Sequence, residues 1–240
     1  MKISKTALCA LAGGLFMALS QWIIFAWAPE EKVMGPAQKI FYIHLPLAWW
    51  GMVSFAVACA ASLRYLVQKK PSCDHFSAAA VEVGLVFCTL TLVTGSIWAR
   101  HSWGVWWTWD PRLTTALILW FIYSGCLALR SMPMPKRRKA AICSVVTIAG
   151  FIDVPLVFLS ARMWRSIHPA VFASKGGGLE TEMAVAAACC TASFLCIWLA
   201  LLILRWRQIA MAASLDAMAM ARIYGEDDTP LLSSGNAPQR

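Results

Sequence analysis

Tryptophan is concentrated in one short stretch of this 240-residue chain, where Gly104, Asp110 and Arg112 interrupt the aromatic residues. The clustered residues are Trp98, Trp103, Trp106, Trp107 and Trp109. A lone tryptophan usually anchors a helix at headgroup level, as we expect for Trp22 and Trp206. Closely spaced indole rings instead favour a binding surface, because they offer buried area and offset stacking to a large planar ligand. Gly104 would let the backbone approach such a ligand.

Histidine is rare in the chain, with only four residues, and His44 and His168 each lie close to a proline. Neutral imidazole is a good ligand for haem iron. If both histidines lie on the membrane side that carries the tryptophans, a haem could be held between them against the indoles. His101 is a third candidate on that side, whereas His75 is expected in a loop on the opposite side.

Three charged residues complete the candidate chemistry. Asp110 is expected to cap a helix whose first position is Pro111. Arg112 could pair with a haem propionate, and Asp110 could orient Arg112 or a ligand histidine. Asp153 lies inside an apolar stretch, two residues before Pro155, where an ionisable group predicts either a functional site or a structural role at a proline kink.

Composition predicts that these residues are positioned by an all-α integral membrane protein. The chain is 60% hydrophobic and 14% charged, whereas soluble domains are about half apolar and about a quarter charged. Since about 20 apolar residues cross a bilayer, we expect six transmembrane helices in a single membrane domain over residues 1–204. A cytoplasmic, partly disordered tail would follow at 205–240, its first part continuing as a helix to 223. The predicted spans are 6–28, 46–67, 77–99, 113–131, 140–161 and 184–204.

Basic residues predict the orientation of the helices. With the N-terminus inside, fourteen of the 21 Lys and Arg residues fall in cytoplasmic segments, as the positive-inside rule requires. The loops at 29–45, 100–112 and 162–183 would then face outward and carry the tryptophans and the two histidines. Topology thus accounts for much of the net charge of +9, and we expect no nucleic-acid partner.

Residues 103–114, with the sequence WGVWWTWDPRLT, resemble the WWD signature of a superfamily of haem-handling membrane proteins. Residues 41–49 (FYIHLPLAW) and 164–168 (WRSIH) are similar to its first-loop and third-loop histidine motifs. Size and predicted spans resemble the cytochrome c maturation protein C family (CcmC, haem exporter protein C), and the resemblance runs from about residue 35 to 205.

The resemblance implies a protein that holds haem b as transient cargo at the periplasmic face of the bacterial inner membrane, and not an enzyme. It implies axial ligation by His44 and His168, with Trp49, Trp164 and Asp153 as supporting residues. The haem platform would consist of Trp103, Gly104, Trp106, Trp107, Trp109, Asp110 and Arg112. Trp98 is expected to be an ordinary belt residue. The implied partners are the haem chaperone CcmE, the small membrane protein CcmD and the ATP-binding-cassette subunits CcmA and CcmB.

Three other functions stay open at this point. A haem permease or exporter would move haem through the spans, but no polar pathway through them is visible apart from Asp153. A haem lyase subunit attaching haem to apocytochrome c would share the WWD segment, although such relatives are generally longer. An electron carrier of the cytochrome b kind would need histidines inside the helices.

Overall fold

The computed structural model describes residues 5–32, 34–164, 166–168 and 179–225. Its regular elements in these ranges are helical, apart from an isolated bridge between Glu31 and Gly35. A π-helical turn (Ile23–Trp27) extends the first helix, and a 3-10 turn (Pro36–Ile40) leads into the second. The α-helices are α1 (Lys5–Trp22), α2 (Phe41–Gln68), α3 (Pro71–Trp103), α4 (Pro111–Ser131), α5 (Lys136–Phe151), α6 (Asp153–Met163) and α7 (Thr181–Gly225).

Helix length and composition confirm a multi-pass membrane architecture. Five helical segments are long and apolar enough to cross a membrane, and a shorter one, Leu11–Trp27, precedes them. The five are Pro36–Gln68, Pro71–Trp103, Pro111–Ser131, Lys136–Ser160 and Thr181–Ile223. Each predicted span overlaps one of these six segments. Six complete crossings remain a prediction, because Leu11–Trp27 is at the lower limit of about 17 residues for a spanning helix.

The predicted start of the second span was wrong, and the error concerns a candidate ligand. We expect His44 in the outward-facing loop at 29–45, but α2 begins at Phe41 and contains both His44 and Pro46. Phe41 and Tyr42 are buried, so apolar packing extends the helix before the proline. His44 is therefore anchored by regular helical structure.

The ends of the third span also lie beyond the predicted ones. Because α2 ends at Gln68 and α3 begins at Pro71, only two residues separate the helices, and His75 lies in α3 rather than in the predicted loop. At its other end α3 continues to Trp103. The tryptophan-rich connection to α4 therefore consists of residues 104–110 only.

The long apolar stretch around Asp153 is divided into two helices. Pro155 has no backbone N–H to donate to the carbonyl of Phe151, which favours a break at that point. The structure ends α5 at Phe151 and begins α6 at Asp153. The Asp153 side chain is buried, and its Oδ2 has no hydrogen-bond partner among the described residues. The predicted proline kink is confirmed, and a functional role for Asp153 stays a prediction.

Close packing of apolar residues joins the helices into one bundle. The rings of Phe55 on α2 and Tyr123 on α4 stack with centroids 3.8 Å apart. Gly84 on α3 makes room for this stack, since a Cβ there would lie 2.7 Å from Phe55 Cε1. Between α1 and α7, the hydroxyls of Ser20 and Ser193 lie 2.7 Å apart, which satisfies two polar groups in an apolar interface.

Ion pairs lie at the end of the bundle where α2 ends and α5 begins. Arg130 donates to Asp74 at 2.9 Å, and Arg205 pairs with Glu82 through two guanidinium nitrogens. The helix predicted to continue from 205 to 223 is confirmed, because α7 runs to Gly225. The tail expected to be disordered beyond that point lies outside the described residues.

Candidate functional site

Four helix ends meet at the opposite end of the bundle, which we call the tryptophan end. Ile24 after α1, Tyr42 on α2, Trp98 on α3 and Cys190 on α7 belong to one buried apolar cluster there. Helices that share such a cluster cannot shift independently, because close-packed interiors resist displacement. The cluster therefore holds the ends of these four helices in fixed positions relative to one another.

His44 is held by one face of α3. Its Nδ1 lies 2.9 Å from the Thr94 hydroxyl, and its ring meets Trp98 edge to face with centroids 5.9 Å apart. The ring also lies against the backbone of Gly95, where a Cβ would be 3.0 Å from His44 Cε1. Any larger residue at position 95 would press on the imidazole, so the pocket is shaped for this side chain.

The connection from α3 to α4 presents aromatic surface. Gly104 ends α3 with a φ of +75°, a left-handed conformation that favours glycine, and the Arg100 guanidinium donates to its carbonyl. Trp106 and Trp109 are 60% and 76% exposed. Trp107 meets Trp109 edge to face at 6.1 Å. These exposed indole rings offer stacking area to a ligand.

Asp110 connects this segment to the residues that carry His168. Its Oδ1 accepts hydrogen bonds from the backbone N–H of Arg112 at 2.9 Å and from the Ser166 hydroxyl at 3.0 Å. Its Oδ2 accepts from the backbone N–H of Ile167 at 2.8 Å. The predicted N-cap of α4 is confirmed, and the same carboxylate also holds residues 166–168.

Hydrogen bonding keeps Asp110 charged. Burial raises the pKa of its carboxyl, but the bonds from Ser166, Ile167 and Arg112 together outweigh it, and the nearby His168 acts in the same direction. The pKa of Asp110 therefore lies below its ordinary value of 3.8. At neutral pH the carboxylate accepts all three bonds, which are charge-assisted and hence strong.

His168 is held by polar contacts. Arg112 Nη1 lies 3.1 Å from His168 Nδ1, and the backbone N–H of His168 donates to the Ser166 hydroxyl at 3.1 Å. Both contacts lie at the end of the bundle where α3 ends and α4 begins, since Thr94 on α3 faces His44 and Arg112 on α4 faces His168. The structure thus brings to one end of the bundle two histidines that are far apart in sequence, as the sequence predicted.

The remaining predicted residues differ in their relation to this site. Trp49 is half exposed and meets Phe158 of α6 edge to face at 6.0 Å, while Trp164 is exposed beside residues 166–168. Trp103 is half-buried at the end of α3, and His101 is exposed. Asp153 lies within the bundle, where its electrostatic neighbours include Cys88 and Tyr123.

The expectation that Trp98 is an ordinary belt residue was wrong. Only 8% of Trp98 is exposed, and its ring packs against both His44 and Phe41. Sequence analysis also missed Thr94, Gly95 and Ser166. The first two could have been suspected, since Thr94 and Trp98 are four residues apart and therefore share a helix face.

The residues at the tryptophan end suit a planar, anionic ligand that contains a metal ion. Imidazole nitrogens ligate iron, indole rings stack on a macrocycle, and a guanidinium pairs with carboxylates. His44, His168, Arg112 and the exposed Trp106 and Trp109 supply these groups. Haem combines an iron ion, a flat ring and two carboxylates, so it fits this set of residues.

Comparison with known proteins gives one consistent family. The family described as "Heme exporter protein C" matches residues 1–221. The chain is 34% identical over 180 residues to "Heme exporter protein C" of Bradyrhizobium diazoefficiens, covering 75% of this chain and 66% of that protein. It is 33% identical over 144 residues to the Escherichia coli K12 protein of the same name, covering 60% of this chain and 59% of that protein.

A mitochondrial relative extends the comparison. The chain is 31% identical over 205 residues to "Putative cytochrome c biosynthesis ccmC-like mitochondrial protein" of Marchantia polymorpha, covering 85% of this chain and 86% of that protein. The matched regions include residues of every helix that contributes to the tryptophan end, since the family match spans residues 1–221. The chain therefore belongs to the haem exporter protein C (CcmC) family.

Proposed function

We propose that this protein binds haem at its tryptophan end, with His44 and His168 as the two axial ligands, and passes it to the haem chaperone CcmE. Family membership already implies haem handling in cytochrome c maturation. The observation that supports the finer proposal is that His44 and His168 lie at the end of the bundle that carries the exposed Trp106 and Trp109, each held through its Nδ1.

Exposed indoles give the site its affinity for a flat ring. Trp106 and Trp109 would stack on haem b and lose their contact with water, which contributes free energy in proportion to the apolar area covered. The Arg112 guanidinium would pair with a propionate. Asp110 would act without touching haem, since its carboxylate is occupied by the backbone of Ile167 and the hydroxyl of Ser166.

Transfer requires that haem be released as well as bound. His44 is fixed by packed helices, whereas hydrogen bonds hold the residues that carry His168. Opening of a hydrogen-bonded segment costs less than opening of a packed one. Release to the chaperone would therefore begin at His168, with haem still bound to His44.

Position in the cell and in a complex follows from the same proposal. The positive-inside distribution of Lys and Arg would put the tryptophan end in the periplasm, with both termini in the cytoplasm. CcmE would approach from the periplasmic side. CcmD and the subunits CcmA and CcmB would complete the complex through other surfaces of the bundle.

Absorption spectroscopy of the detergent-purified chain tests the ligand assignment. The parent chain is expected to give the spectrum of low-spin haem, which requires two strong axial ligands. His44→Ala and His168→Ala should each lose that low-spin signal. His101→Ala is the matched control, because His101 is an exposed histidine at the same end of the bundle, and it should keep the parent spectrum.

Two outcomes would contradict the proposal. A parent chain that does not bind added haem would exclude a haem site, and an unchanged spectrum after both substitutions would exclude these ligands.

Co-purification separates the proposal from its rivals. Haem-dependent capture of CcmE supports delivery to the chaperone, whereas capture of apocytochrome c would support a lyase.

A further inference from the structure

We infer that Thr94 and Arg112 hold His44 and His168 in opposite tautomers, so that His44 binds haem iron first and His168 only after Arg112 leaves it. The inference rests on the proposed function, in which the two histidines are the axial ligands. It makes Thr94 a positioning residue for the site. It also gives Arg112 a role before it reaches a propionate.

The contacts of Thr94 define the tautomer of His44. The Thr94 hydroxyl lies 2.8 Å from the carbonyl of Leu90, 3.2 Å from the carbonyl of Thr91 and 2.9 Å from His44 Nδ1. Carbonyls only accept, and a hydroxyl has one proton to donate. We assign the hydroxyl proton to the Leu90 carbonyl, its shortest contact, so that the hydroxyl accepts the proton of His44 Nδ1.

His44 is therefore ready to bind a metal ion. In neutral imidazole a proton on Nδ1 leaves the lone pair on Nε2 free. Ligand histidines in proteins usually donate their other ring N–H to such a fixed acceptor, which sets the tautomer and increases the basicity of the ligand. Gly95 and Trp98 hold the ring plane, so both orientation and tautomer are fixed before haem arrives.

Arg112 imposes the opposite tautomer on His168. Its Nη1 lies 3.1 Å from His168 Nδ1, and a guanidinium can only donate. Nδ1 of His168 therefore accepts, and in the neutral ring the proton is on Nε2. That nitrogen has no free lone pair, so His168 in this arrangement cannot ligate iron through Nε2.

Ligation of the second histidine thus has a defined proton balance. The bond between iron and His44 Nε2 forms with no proton movement. At His168 the proton leaves Nε2 and an equivalent proton from water binds Nδ1, so no net proton is released. The protonated Nδ1 no longer accepts from Arg112, and the guanidinium becomes available to a haem carboxylate.

Haem titration into the detergent-purified full chain tests the role of Thr94. Thr94→Val keeps the shape of the side chain and removes the hydroxyl acceptor, while the Thr91 backbone carbonyl remains as a second hydrogen-bond partner of the ring. It should therefore weaken haem binding by about 10-fold, the smaller of the losses that removal of such outer partners typically causes. Thr94→Ser restores a hydroxyl and should recover most of the parent affinity. Thr91→Val is the matched control on the same helix, since the Thr91 hydroxyl donates only to the carbonyl of Phe87, at 2.8 Å, and should not change the affinity.

A double-mutant comparison separates positioning from a general structural role. Thr94→Val should still weaken binding in a His168→Ala chain, because His44 remains the ligand there. In a His44→Ala chain it should have no further effect. An equal loss in the His44→Ala chain would overturn the role of Thr94, and so would parent-like binding by Thr94→Val itself.

Rapid mixing with haem tests the order. The parent should form a complex with one histidine and then, in a slower step, the low-spin complex with two. Arg112→Met should accelerate the second step, because the guanidinium no longer donates to Nδ1 of His168. Formation of the low-spin complex in one step, or an unchanged second step in Arg112→Met, would overturn the order. A parent chain that binds no haem would instead contradict the proposed function itself.

Discussion

His44 and His168 lie at the same end of the bundle but are held in different ways. His44 is part of α2 and packs against Trp98 and the backbone of Gly95, so its position follows from the apolar packing of long helices. His168 belongs to a short segment held by the carboxylate of Asp110 and the guanidinium of Arg112. One proposed ligand is thus part of the packed helices, whereas hydrogen bonds attach the other to the WWD segment, residues 103–114.

The largest expected effect comes from removing the carboxylate that holds the His168 segment. Asp110→Ala should abolish ligation by His168 and leave haem bound through His44 alone, because Ser166 and Ile167 lose their shared acceptor. Loss of the N-cap should also destabilise α4 by about 0.5–2 kcal/mol. The absorption spectrum reports the first effect, and thermal unfolding reports the second.

Asp110→Asn separates these two effects. The amide oxygen can replace Oδ1, which caps α4 and accepts from Ser166, but the amide nitrogen replaces Oδ2 and cannot accept from the backbone N–H of Ile167. Thermal stability should therefore stay close to that of the parent, while ligation by His168 is weakened. If Asp110→Asn retained the low-spin spectrum, the carboxylate would not be what holds the second ligand.

A smaller effect is expected from crowding the packed ligand. Gly95→Ala would put a Cβ 3.0 Å from His44 Cε1, which forces the imidazole to move by a few tenths of an ångström. Haem affinity should fall about tenfold, equivalent to about 1.4 kcal/mol, as measured by haem titration. Gly125→Ala is the matched control, because a Cβ on that helical glycine meets nothing within 4 Å. An unchanged affinity in Gly95→Ala would contradict the close fit around His44.

The smallest effect concerns two tryptophans that the sequence makes look alike. Trp98→Phe should destabilise the fold and weaken haem binding only a few-fold, since an aromatic pair contributes about 0.5–1.5 kcal/mol. Trp109→Phe, at a ring that is 76% exposed, should leave thermal stability within about 0.5 kcal/mol and change haem affinity alone. Thermal unfolding without haem, followed by haem titration, distinguishes them. Equal stability of the two variants would contradict the buried position of Trp98.

The sequence predicted the features that depend on local patterns. Apolar runs identified the helices, and the Asp110 and Pro111 pair identified the start of α4, because capping is a property of adjacent residues. Helix ends were predicted less accurately where packing determines them. The buried Phe41 and Tyr42, for example, extend α2 toward the N-terminus, ahead of Pro46.

The surroundings of the two histidines could not be predicted in the same way. Contacts of His44 with Thr94 and of Asp110 with Ser166 join residues about fifty positions apart, and no local pattern specifies them. The role of Trp98 was missed for a related reason. Its place at the edge of the tryptophan cluster suggested a membrane interface, whereas the crossing of α2 and α3 buries it against His44.

The most direct test asks whether His44 and His168 bind one iron together. It uses pulsed electron paramagnetic resonance of the ferric haem complex, prepared with ¹⁵N-labelled histidine. The parent should show coupling from two axial imidazoles, and His44→Ala and His168→Ala should each show one. Two coupled imidazoles in either single variant, or a parent with fewer than two, would contradict the account.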